Sequence, residues 1–167
     1  MNQTSRLLSA ICILFSSLST SAQLTEVWAS QFDGKGDFTD KFTCSVADNS
    51  GNVYVGGLTV EPGSNANYLI TKFNSAGALL WKRVYNAPGN GPDAVKEIAL
   101  DPSGNVIVTG YGNNISVGND FWTMKFSSSG DSLWSRYFND ASFNQYDEPN
   151  GLAIDAAGNI IVTGDSD

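Results

Sequence analysis

Histidine is absent from this 167-residue chain. That absence removes the Ser–His–Asp and Cys–His nucleophile systems, together with the usual imidazole metal sites. Chemistry by paired carboxylates survives the exclusion. Cysteine is nearly absent as well, with only Cys12 and Cys44. Basic residues are scarce: 9 stand against 17 acidic ones, for a formal net charge of −8. A phosphate backbone would be repelled by that balance, so nucleic acid is not expected as a partner. The surplus charge favours solubility. Beyond residue 22 no stretch carries a helical period.

What is present begins with "MNQTSRLLSAICILFSSLSTSAQ". A polar start with Arg6, an apolar run from Leu7 to Leu18 and a small-residue stretch make residues 1–22 a secretory signal, with cleavage expected after Ala22. The apolar run is short and interrupted by serine, so no membrane span is expected after cleavage. The expected location is secreted or at the cell surface, periplasmic or extracellular. Loss of Arg6 takes the net charge from −8 to −9. Loss of Cys12 leaves Cys44 with no partner for an internal disulfide. Its setting, "KFTCSVAD", reads as a small buried strand residue.

The rest of the chain repeats itself. "DNSGNVYVGG" at 48–57 returns as "DPSGNVIVTG" at 101–110 and "DAAGNIIVTG" at 155–164. Asp48, Asp101 and Asp155 are 53 and 54 residues apart, and Trp28, Trp81 and Trp134 are 53 and 53 apart. A fixed period of this length is the mark of a repeat architecture. Within the second unit "VKEIAL", "NVIVTGY", "DFWTMKF" and "LWSRYF" alternate β-branched or aromatic residues with small or polar ones, the period-2 pattern of strands. "DPSGN" and "SSSGD" between them are tight-turn sequences. In the first of these Gly104 can take positive φ, and the Asp101 carboxylate can accept from turn amides. The recurring set is therefore Asp48, Gly51 and Asn52, then Asp101, Gly104 and Asn105, then Asp155, Gly158 and Asn159, read as structural hairpin residues.

Meanders of four strands and about fifty residues are the units of β-propellers. The order D-x-x-G-N-[VI]-x-V-[TG]-G, then K-F, then G-x-x-L-W with its small spacing differences, resembles the bacterial beta-propeller repeat family over most of residues 40–167. The resemblance implies an all-β fold of four-stranded antiparallel blades, in secreted or surface proteins that carry several such repeats. On this phase residues 40–92 form a first blade, 93–146 a second and 147–167 part of a third. Residues 23–39 hold a lone fourth strand, at 24–33, suited to closing a last blade. A propeller needs about four to eight blades. The expectation is therefore a piece of a longer reading frame, with further blades of the same chain, rather than a short protein closed by self-association. Its open faces should make the isolated chain prone to association.

Binding determinants are expected on the face that carries the longer, variable loops, "LTVEPGSNAN" against "YGNNISVGND" and "NAPGNGP" against "NDASFNQYDEP". There Asp40, Asp93 and Asp147 each stand eight residues before a hairpin aspartate. A ring of carboxylates could hold Ca²⁺ or sugar hydroxyls. Once-per-blade recurrence favours turn capping instead, with no cofactor. Trp28, Trp81 and Trp134 read as packing between blades. Lys72 and Lys125 read as edge-strand solubility or a blade-to-blade ion pair, and Gly57, Gly110 and Gly164 as crowding in the second strand. The adjacent carboxylates Asp147 and Glu148 are weak grounds for glycosidase chemistry. The favoured function is a non-catalytic binding or structural scaffold whose ligand is a surface or extracellular protein or glycan. The alternative is part of a carbohydrate-active hydrolase or lyase using carboxylates of the long-loop face.

Overall fold

The computed structural model describes residues 10–11, 26–34, 39–113, 118–139 and 146–166. All of their regular structure is β. Apart from Ala10 and Ile11, the secretory signal expected at 1–22 lies outside the described residues. Ala10–Ile11 (β1) pairs antiparallel with Ala29–Ser30 (β2).

Two antiparallel four-stranded sheets follow, each a meander in chain order. The first blade is Asp40–Ala47 (β3), Val53–Val60 (β4), Ala66–Phe73 (β5) and Leu79–Tyr85 (β6). The second is Ala94–Leu100 (β7), Val106–Gly112 (β8), Asp120–Phe126 (β9) and Ser132–Phe138 (β10). Asp147–Ile154 (β11) and Ile160–Ser166 (β12) form a two-stranded sheet in the same phase. The four strands read from the second unit thus appear with their ends shifted by a residue or so, and the fold is all-β, in four-stranded antiparallel blades.

The hairpin between first and second strands is built alike three times. Asn52, Asn105 and Asn159 each donate Nδ2 to the hairpin aspartate, at 2.7, 2.8 and 2.7 Å, and their backbone N–H to its other oxygen at 2.9, 2.9 and 2.8 Å. Gly51, Gly104 and Gly158 close the turn at φ of 77°, 77° and 83°, a backbone conformation that costs an L side chain about 1–2 kcal/mol.

Blades 1 and 2 bury the main core between them. Tyr54, Tyr68 and Ile70 of the first meet Val95, Ile98, Val106, Val108, Trp122, Met124 and Phe126 of the second. The middle strands β8 and β9 are buried on both faces, which is why β8 reads as a nearly continuous apolar run. The buried hydroxyl of Tyr68 is satisfied across the interface, donating to the Trp122 carbonyl at 2.7 Å. Strand β7 packs on β3, β4 and β5, and β11 packs on β7, β8 and β9, so successive first strands stand side by side.

Each first strand carries a bulge, at Thr43, Lys96 and Asn150. A bulge re-aims a side chain out of the ladder. Thr43 Oγ1 donates to the Val95 carbonyl of the next blade at 2.6 Å. Lys96 likewise reaches forward to an ion pair with Glu148, whereas Asn150 donates to Asp165 of its own sheet at 2.7 Å. Opposite the bulges lie Gly57, Gly110 and Gly164. A Cβ on any of them would fall onto the carbonyl oxygen of Lys41, Ala94 or Glu148. The crowding anticipated there therefore comes from the bulged first strand.

Candidate functional site: the long-loop face

The loops between second and third strands, and those between blades, emerge at one end of the sheets. They are bonded to one another. The backbone N–H of Asp93 donates to the Ala66 carbonyl, and that of Asp147 to the Asn119 carbonyl, each at 2.7 Å. One blade's third strand thereby anchors the start of the next blade. Asparagines extend the lattice. Asn65 Nδ2 donates to the Asn90 carbonyl at 2.6 Å, Asn86 Nδ2 to Asn90 Oδ1 at 2.7 Å, and Asn113 Nδ2 to the Gly118 carbonyl at 2.9 Å. Gly89 N–H meets the Asn113 carbonyl at 2.8 Å. Asn90 is the one non-glycine with positive φ among the described residues, at 54°, a region that asparagine tolerates. None of these asparagines was singled out from the sequence. The signal was the richness of "NAPGNGP" and "YGNN" in asparagine, which by itself marks only a loop.

The three recurring carboxylates sit within this lattice. Asp40 accepts from Gly34 N–H at 2.6 Å and Thr59 Oγ1 at 2.5 Å. Asp93 accepts from Ala87 N–H at 2.7 Å and Asn113 N–H at 3.2 Å. Asp147 accepts from Ser166 Oγ at 2.5 Å. Asp40 and Asp93 thus tie the loop that precedes a blade to the far end of its second strand. Asp93 is fully buried and Asp147 nearly so. Burial pushes Asp93 up to about 6, against the two N–H groups that favour its charge. Among the described residues no three acidic or cysteine side chains gather as metal ligands. Asp147 and Glu148 alternate across a strand, and their side chains go to Ser166 and Lys96 respectively.

The other motif residues lie away from this face. For Asp101, burial opposes the charge, but Lys125 Nζ at 2.8 Å, Asn105 and the turn amides outweigh it and hold the carboxyl down at about 2. Lys125 thus pairs within its own blade, whereas Lys72 crosses between blades to the Ser128 carbonyl at 3.1 Å. Trp81 lies across the Gly130 turn of blade 2, and Trp28 across the Gly77 turn of blade 1. Trp134 is half-buried on β10. Cys44 is half-buried on β3, its thiol pushed up to about 12 by burial. The chemistry this face offers is hydrogen bonding from a braced scaffold of amides, with the aromatic Tyr146, 63% exposed, beside it at the start of β11.

Residues 133–167 match the family model of the beta-propeller repeat. The match opens on β10 and runs through β11 and β12, so it crosses from one blade into the next. It contains Trp134 and the third hairpin set, Asp155, Gly158 and Asn159. No curated protein matches the chain. Through the internal period, the first two hairpin sets and their tryptophans are copies of what the beta-propeller repeat model matches.

Proposed function

We propose that the chain is a non-catalytic scaffold, secreted or displayed at the cell surface, that uses its long-loop face to bind an extracellular protein or glycan. The observation that carries this reading is the use made of the loop carboxylates. Asp40, Asp93 and Asp147 all accept hydrogen bonds from the fold itself, whereas the asparagine lattice braces loops that differ between blades. Rigid support beneath variable loops suits recognition. A general acid needs a carboxyl within reach of substrate, and Asp93, the one with a raised pKa, has no exposed surface.

The test presents the full chain to immobilised glycans and to extracellular protein extracts, alongside Asn65→Ala and Tyr146→Ala. Saturable binding that these substitutions weaken, with melting unchanged, is the expected result. Release of reducing ends from soluble polysaccharides, abolished by a carboxylate substitution, would replace the scaffold reading with the hydrolase or lyase.

A further inference from the structure

Asp93 is a carboxylate sealed between the two blades, with no exposed surface. Two loops close over it. The 86–92 loop donates Ala87 N–H at 2.7 Å, and the end of β8 donates Asn113 N–H at 3.2 Å. The loops also lock to each other. Gly89 N–H meets the Asn113 carbonyl at 2.8 Å, and a Cβ on Gly91 would stand 2.7 Å from that of Asn113. The main-chain N–H of Asp93 is held by the Ala66 carbonyl at 2.7 Å. The residue itself is therefore anchored, and the loops are the part that can lift.

Nothing of opposite charge offsets its burial. The titratable groups that face it are Tyr68 on β5, Tyr111 on β8 and Tyr137 on β10. Asp120, opposite Gly112 in the register of β8 and β9, acts on the same Tyr137. Lys96 of β7 and Glu148 of β11 act on Tyr111 and are paired with each other. Lys125 is taken by Asp101. Only two N–H dipoles oppose the cost of sealing a charge here, and one of those bonds is long. Two further polar groups lie beside it unsatisfied. Trp122 Nε1 and Tyr137 OH are buried with no hydrogen-bond partner, on rings stacked 5.2 Å apart. A Cβ on Gly112 would stand 2.8 Å from the Trp122 ring and 3.2 Å from Asp93 Oδ1. Lifting the loops lets water reach the carboxylate and both donors.

We propose that the 86–92 loop and the end of β8 around Asn113 form a pH-gated lid on Asp93, closed over the neutral carboxyl and loosened when it ionises. Under the closed lid burial pushes the carboxyl up to about 6, and under a lifted lid it returns to its ordinary 3.8. The closed state holds the proton more tightly, so its advantage is fully present below about pH 3.8 and is lost as pH rises through about 6. The opening constant should climb by up to about tenfold per pH unit between those values and level off above, about a hundredfold in all. On the recognition reading proposed above, capture by this face is tighter in mildly acid surroundings than in neutral ones. The experiment reads the loops without a ligand, so failure of the lid and failure of that reading are distinguishable.

The test follows amide hydrogen exchange of Ala87, Gly89 and Asn113 in the isotope-labelled full chain from pH 4.5 to 7.5, corrected for intrinsic exchange and repeated in low urea. Their opening constants should rise by about 25-fold, mostly below pH 6. The rise should be insensitive to urea, as a local opening is, whereas the amides of Val106 and Val108 in β8 should respond to it. The carbon resonance of the Asp93 carboxyl in the unaltered chain should titrate over the same range. Asp93→Asn should give a flat profile at the three amides. Equal opening constants at pH 4.5 and 7.5, a rise seen only as urea-sensitive global unfolding, or a rise that persists in Asp93→Asn would each overturn the proposal.

Discussion

Trp81 of blade 1 lies over Gly130 of blade 2, close enough that a Cβ on the glycine would stand 2.9 Å from the indole. Gly130 has φ of 86°, and Gly104, in the other kind of hairpin, has φ of 77° with open space around it. Alanine at either site meets the backbone penalty of about 1–2 kcal/mol. Only at Gly130 must it also displace a packed ring, adding about 1–3 kcal/mol. Urea melts of Gly130→Ala and Gly104→Ala should therefore separate, with Gly130→Ala the less stable. Equal losses would mean that the indole does not seat on the turn.

Asp101 supports its hairpin with more than turn amides. It also receives Lys125 from β9, and its carboxyl sits at about 2 against an ordinary 3.8. A shift of that size in a buried group corresponds to about 2 kcal/mol. Asp101→Ala should cost about that much in thermal or urea melts. Asp155→Ala, at an exposed hairpin whose carboxylate meets no lysine among the described residues, should cost less. Identical losses at the two sites would remove Lys125 from the account.

Asp93 and Asp101 make opposite demands on pH. Asp93 has a folded value of about 6, above its ordinary 3.8, so the native state holds the proton more tightly than the unfolded chain. The stability due to its neutral form is fully present below about pH 3.8 and is lost as pH rises through about 6. Asp101 is depressed, so its contribution is present above pH 3.8 and is lost as pH falls through about 2. From pH 4 to 7 the Asp93 part should lower stability by up to about 3 kcal/mol. Asp93→Asn cannot titrate and should flatten that part of the profile. A variant profile parallel to the parent over this range would refute the assignment.

The strands and hairpins were legible because each rests on local chemistry that the chain states outright. Asp101, Gly104 and Asn105 have types suited to one turn, and the 53-residue period states it again. What joins the blades was less legible. Lys72 and Lys125 occupy the same repeat position, yet one donates to a carbonyl of the next blade and the other pairs with Asp101 of its own. That difference depends on what stands across each lysine, which residue type does not encode. The long-loop lattice was hidden for the same reason: Asn65, Asn90 and Asn113 are far apart in sequence, and any asparagine in a loop reads alike. Asp93 was found by its spacing, but its burial comes from the Ala87 and Asn113 loops folding over it.

The bulges were illegible because Thr43, Lys96 and Asn150 share no residue type, yet their consequence was in view as Gly57, Gly110 and Gly164. At Gly110 the constraint is backbone on backbone. A Cβ there would fall onto the Ala94 carbonyl oxygen and stand 2.8 Å from the Tyr68 hydroxyl, which itself is held by the Trp122 carbonyl. Neither neighbour can yield cheaply, since one is bulged main chain and the other a buried tyrosine between blades. Gly110→Ala should therefore cost more than about 3 kcal/mol, beyond the usual range for a surface or strand glycine. Lys96→Ala, which keeps the bulge and removes a half-exposed ion pair to Glu148 and a cation–π contact with Tyr111, should cost less than Gly110→Ala, about 1 kcal/mol. Melts of the two variants in parallel check this. A mild Gly110→Ala would show that the first strand can relax its bulge, and the glycine would then have to be explained by something other than the carbonyl it faces.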